Sequence, residues 1–159
     1  YFRSRIEEEI ARAKRKNYVF TLVLMEIVGM DEFVEMYGEP ERRKALMKIA
    51  GMINEIFRTT DLLGRHGDNQ FLMMLPETDD RSSVIPIMRL KKLLTSAGFG
   101  PDKRFNFDVN FGVSCYPKDV TEVGGLLSLA SASLKRSTQK GTGMITLASS
   151  LFRKGPGQN

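Results

Sequence analysis

Arg58 and Asp61 stand just ahead of a glycine-centred run, Gly67-Asp68-Asn69-Gln70-Phe71. A guanidinium offers a planar fork of donors that bridges paired acceptors, stacks on a flat ring and attracts phosphate. A carboxylate beside it takes the complementary hydrogen-bond donors. A plainer reading is equally concrete. An Arg-x-x-Asp arises by chance about once in a chain this rich in both residues. Arg58 can complement a helix C-terminus, and Asp61 can cap a turn. Arg89, on a later helical stretch, is either a further member of such a site or a solvated residue.

Other reactive side chains are sparse. One His and one Cys argue against a zinc or haem site. His66 has no ligand partners in the sequence and reads as packing or surface. Cys115 falls on the apolar face of an alternating run and reads as inert; alone, it excludes an internal disulfide and suits a reducing compartment. The nine Met residues, Met73 and Met74 among them, fall mostly at core spacing or on strands and read as packing.

The elements that hold these residues follow from periodicity. Phe2, Ile6, Ile10 and Ala13 predict an amphipathic first helix, and the apolar run Tyr18 to Val28 a central strand covered on both faces. Gly29 breaks it, a short helical piece reaches Tyr37-Gly38, and Pro40 opens a helix carrying Leu46, Ile49, Ile53 and Phe57. Asp61 to Arg65 and Phe71 to Leu75 are strands joined by Gly67-Asp68-Asn69, residues that tolerate positive φ. Pro76 to Asp80 is a turn, and Ser82 or Ser83 is expected to cap a helix with Val84, Ile87, Leu90 and Leu94, ended by the Gly98–Pro101 stretch. Phe105, Phe107, Val109, Phe111, Val113 and Cys115 alternate with Asn106, Asp108, Asn110 and Ser114, predicting a strand with one core face and one wetter face. Leu126 to Arg136 is a helix and Met144 to Ala148 an edge strand. The order α-β-α-α-β-β-α-β-α-β predicts an α+β sandwich.

Length and composition bound the function. At 159 residues, 42% apolar and 27% charged, the chain is one domain over residues 1–150, with residues 151–159 read as a disordered tail or linker. The net charge of +5 favours anionic partners, nucleotides included. It is too mild for a DNA-binding surface, and no groove-reading motif accompanies it, so no nucleic-acid partner is expected. No apolar run approaches the roughly 20 residues of a membrane span. No secretory signal opens the sequence, and a cytoplasmic location is expected.

The stretch from Arg58 to Phe71 resembles the signature hairpin of the bacterial GGDEF domains, or diguanylate cyclases, which condense two GTP into cyclic di-GMP. The resemblance covers nearly the whole chain. It implies a palm like that of the nucleotidyl cyclases, a central, mainly antiparallel sheet flanked by helices. The family's Asp-x-Leu-Thr ahead of the first helix is absent, which implies a piece of a longer protein. The family turn reads Gly-Gly-Asp/Glu-Glu-Phe, and here both acidic positions are amides, Asn69 and Gln70.

What the resemblance implies about catalysis follows residue by residue. The family's Asp-Ile-Asp, matched by Glu26-Ile27-Val28, and the third signature residue, matched by Asn69, hold two divalent cations. Glu26 keeps one carboxylate on a longer arm, and Val28 keeps none. The guanine-reading Asn and Asp align with Val34 and Arg43, a phosphate-facing Lys with Asp31, and the C-terminal Lys and Arg with Thr138 and Thr142. A hydroxyl is a weak replacement for a fixed cation beside a phosphate. The expectation is a degenerate domain that is not an enzyme and carries no metal or other cofactor.

Arg58-Thr59-Thr60-Asp61 matches the family's inhibitory site, with Asp61 six positions before Gly67, and Arg89 stands where a second arginine is expected. Arginine bridges O6 and N7 of guanine, and a carboxylate takes its N1–H and N2–H₂ donors. The resemblance thus implies a receptor that binds cyclic di-GMP at Arg58, Asp61 and Arg89 and signals to an attached domain or partner. Because the family's site often takes two intercalated ligands, a homodimer is a further expectation. The alternative is a nucleotide-independent interaction or dimerisation scaffold. Residual GTP binding and active cyclisation are both opposed by the substitutions above.

Overall fold

Nine residues with hardly a polar side chain, Phe20–Val28, form β1 at the centre of the sheet, where strands cover both its edges and helices both its faces. The computed structural model describes residues 2–57 and 61–152, and for residues 61–63 the backbone alone. The elements run α1 (Phe2–Lys16), β1, α2 (Met30–Tyr37), α3 (Glu39–Ile56), β2 (Asp61–Arg65), β3 (Gln70–Pro76), α4 (Asp80–Ser96), β4 (Asp108–Tyr116), α5 (Val123–Lys140) and β5 (Ile145–Leu147). The strand order is β2-β3-β1-β4-β5, antiparallel throughout except for the parallel pair β4–β5. This is the expected α+β architecture, a mainly antiparallel sheet flanked by helices.

The alternation of side chains along the strands builds two cores. Val23, Met25, Ile27, Met73 and Phe111 pack with Phe33, Ile49, Ile53, Ile87 and Leu90 from α2, α3 and α4. Leu22, Leu24, Leu72 and Met74 pack on the other face with Ile6, Ala13, Leu126 and Ala130 from α1 and α5. Each buried Val, Leu, Ile, Phe or Met among them contributes about 1.5–3 kcal/mol, and a one-residue slip of β1 would exchange the two sets. No helix of the described residues is long and apolar enough to cross a membrane.

Three expectations are corrected. The cap of α4 is Asp79, whose carboxylate accepts from Ser82 N–H at 2.7 Å and is held below the usual carboxylate range by that bond. Neither Ser82 nor Ser83 caps: the Ser83 hydroxyl is buried and donates to the Asp80 carbonyl at 2.6 Å. The predicted wetter face of β4 holds only at its start, where Asn106 and Asp108 are exposed. Asn110 and Ser114 are buried because α5 lies on them, Ser114 Oγ donating to Leu126 O at 2.8 Å and Asn110 Nδ2 to Gly141 O at 3.0 Å. That strand also starts at Asp108; Phe105 and Phe107 turn away into an aromatic cluster, each with its ring centroid 5.1 Å from that of Phe33. Finally, Met25, Met30, Met52, Met73 and Met74 are core as expected, but Met36, Met47 and Met88 are exposed. The tail expected at residues 151–159 falls largely outside the described residues.

Candidate functional site

β1 ends beside the β2–β3 hairpin, and the main chain closes that corner. Glu26 is in register with Gln70 on β3 and Asn110 on β4. Ile27 N–H donates to Asn69 O, and His66 N–H to Gln70 O, both at 2.8 Å. Gly67, at φ 88°, takes the left-handed conformation the turn requires.

The polar side chains of the corner are turned toward one another. Gln70 Nε2 donates to Glu26 Oε2 at 3.1 Å, and Gln70 Oε1 lies 3.1 Å from His66 Nδ1. With the Gln70 nitrogen given to Glu26, its carbonyl accepts, which places the proton on His66 Nδ1. Arg42, from the start of α3, donates to Asn69 Oδ1 at 3.1 Å and to Asp68 O at 3.2 Å. Glu39 braces the same guanidinium at 3.7 Å, and Arg65 donates to the same Asp68 carbonyl.

A cavity of about 670 Å³ opens at this corner, lined by residues 26–32 and 66–70. Its carboxylates are Glu26, Asp31, Glu32 and Asp68, and no Lys or Arg is among its described lining residues. A second cavity of about 240 Å³ lies between the strands and α5, where Glu26 and Gln70 meet Lys135 and Thr138. Among the described residues, no group of three or more His, Cys, Asp or Glu is placed to hold a metal ion.

The other candidate residues scatter. Val34 packs against the core, Arg43 is exposed beside an apolar groove, and Thr138 Oγ1 bonds back to Leu134 O at 3.1 Å. Thr142 is exposed. Arg89 is exposed on α4 beside Ile85 and Met88. Arg58 lies outside the described residues, and Asp61 opens β2 with its backbone opposite Met74. Cys115 is buried, and burial pushes its thiol up, as an inert role requires.

Comparison with known proteins decides the family. The family model of the diguanylate cyclase GGDEF domain matches residues 1–144. The chain belongs to the GGDEF domain family. Diguanylate cyclase A of Treponema denticola is 24% identical over 134 residues, 84% of this chain. The chain spans only 36% of the length of that relative. Among solved structures, the GGDEF domain of DgcB from Caulobacter crescentus in complex with c-di-GMP superposes with a TM-score of 0.83 at 16% identity, covering 93% of this chain and 88% of that one. The active GGEEF domain of a diguanylate cyclase from Vibrio cholerae gives 0.81 at 14% identity, covering 93% and 92%. At such identities the structural likeness establishes the GGDEF fold.

Two residues of this GGDEF domain's corner carry no signal in the sequence. Arg42 belongs to a charged run that opens α3, and nothing in its spacing points at a turn 26–27 residues away. Lys135 reads as a solvated helix residue until α5 is laid across β1 and β3.

Proposed function

We propose that this GGDEF domain does not cyclise GTP and acts as a receptor for cyclic di-GMP, bound through Arg58, Asp61 and Arg89. The observation that carries the first half is the closed corner. Two divalent cations need converging anionic oxygens, whereas Glu26 accepts from the Gln70 amide and Asn69 Oδ1 accepts from Arg42. Amide and guanidinium donors thus stand where the chemistry needs bare carboxylates, and the residues present do not fit the metal pair. A triphosphate would also meet an acidic lining with no Lys or Arg among its described residues to neutralise it.

The receptor half rests on the register of Arg58 and Asp61 with the hairpin and on the state of Arg89. That side chain is exposed and, among the described residues, makes no hydrogen bond or ion pair, so its guanidinium is available to a purine edge or phosphate. A homologous fold holding c-di-GMP adds support. A bound dinucleotide would bias an attached domain or a partner, a second copy included.

The test is calorimetric titration of cyclic di-GMP into the chain and into Arg58→Ala and Arg89→Ala. Micromolar or tighter binding, weakened at least roughly tenfold in each variant, is expected for loss of a bidentate charged contact. Silence in all three overturns the receptor and leaves the nucleotide-independent scaffold, which exposed Ile85 and Met88 favour. Cyclic di-GMP formed from GTP with magnesium or manganese would overturn catalytic silence separately.

A further inference from the structure

We propose that the groove between α3 and β2 docks an extended, acidic segment of a partner protein by pairing it with the free edge of β2. Three independent features meet there. The groove holds about 400 Å³, with an apolar floor and wall from Leu46, Met47, Ala50 and Phe71. Met47 is 75% exposed while Leu46 and Phe71 are buried, so an apolar side chain entering the groove gains a packed floor and covers a solvated wall. Among the described lining residues the charged ones are Arg43 and Arg65.

The third feature is the edge itself. β2 ends the sheet, and no other described strand pairs with its outer side. Its outward main-chain groups form a row that an added strand can satisfy. Such a strand places alternate side chains on one face, where they reach the groove beside α3. The register shift between Leu62 and Gly64 limits pairing to short runs, which gives a reversible complex instead of continuing the sheet.

Charge selects the occupant. Arg43 and Arg65 flank the groove and suit carboxylates. A second copy docking through the same surface would set those guanidiniums against their own kind, which costs affinity. This surface is separate from Arg89 but shares β2 with Asp61, so its test is run without cyclic di-GMP.

The test uses the whole chain and a fluorescent peptide that alternates glutamate with leucine over the length of β2. Lysine for glutamate should weaken its binding roughly tenfold or more, and N-methylation of alternate peptide amides should do the same by removing the edge bonds. Met47→Asp should abolish binding, and Met36→Asp, at another exposed methionine on α2, should leave it unchanged; neither side chain is buried, so both variants fold. Equal binding of the two charged peptides, retained binding after N-methylation, or retained binding by Met47→Asp would overturn the proposal. A dimer in sedimentation that Met47→Asp dissolves would overturn it in favour of self-association.

Discussion

The side-chain amide of Gln70 donates to the carboxylate of Glu26 at 3.1 Å, across the β1–β3 pair. Gln70 holds His66 with its other end, so one residue ties the end of β1 to the start of the hairpin turn. Gln70→Glu would set two carboxylates against each other where both cannot ionise cheaply. A loss of about 1 kcal/mol in urea denaturation at neutral pH is expected. It should shrink on acidification through the carboxylate range, as one of the pair takes a proton. Identical urea midpoints for parent and variant at neutral pH would refute this account of the corner.

Ser133 and Ser137 lie one turn apart on α5 and should respond oppositely to alanine. Ser133 Oγ is buried and, among the described residues, has no hydrogen-bond partner. Ser133→Ala removes that unsatisfied group and improves helix propensity, so a gain of roughly 0.5–1 kcal/mol is expected. Ser137 Oγ instead donates to Phe111 O at 2.7 Å and meets Thr146 Oγ1 at 2.7 Å. Ser137→Ala leaves both partners short and should cost about 1–2 kcal/mol. Thermal denaturation of the two variants gives the signs directly, and matching signs would contradict the assignment.

Gly112 lets β4 and α5 approach at backbone distance. A Cβ there would lie 2.2 Å from Ala130 O and 2.3 Å from Leu134 N, both main-chain atoms of α5. No rotamer relieves that overlap, so Gly112→Ala should force helix and strand apart at a cost of about 3 kcal/mol or more. The expected result is a chain that is insoluble or melts far below the parent. A parental melting temperature would show that α5 does not lie where described.

Tyr18 makes the fold sensitive to alkali. Burial, and then its 2.6 Å hydrogen bond to the Glu9 carboxylate, push the phenol up from 10.0 to about 12. A folded-state pKa above the unfolded one contributes stability that is whole below the unfolded value and lost as pH rises through the folded one. Stability should therefore fall between about pH 10 and 12, and that part of the fall should vanish in Tyr18→Phe. Phenolate absorbance followed beside the unfolding midpoint checks both. A Tyr18 titrating at the ordinary value would rule this out.

Much of the architecture is legible in the residues themselves. The apolar run of β1, the turn residues at Gly67, Pro40 at the head of α3 and the helical spacing of Ile87, Leu90 and Leu94 each point to one element, and all those elements form. Local periodicity suffices because each element buries its own stripe. Where pattern and fold differ, a partner outside the pattern intervenes. Asn110 and Ser114 are polar yet dry because α5 covers them and supplies acceptors. Asp79 takes the place of the expected serine caps because α4 begins at Asp80, which puts Ser82 and Ser83 inside the first turn and Asp79 at the cap position.

The functional site divides the same way. By itself the sequence determined which chemical groups are present: amides at Asn69 and Gln70, one carboxylate at Glu26, and arginines at 58 and 89. Only the tertiary structure decided what those groups face. Arg42 meets Asn69, Gln70 meets Glu26, and Arg43 and Arg65 flank one apolar groove. Residue types and local spacing are properties of neighbouring positions. A hydrogen bond between residues 44 positions apart is a property of strand register and helix docking, which only the packed core sets.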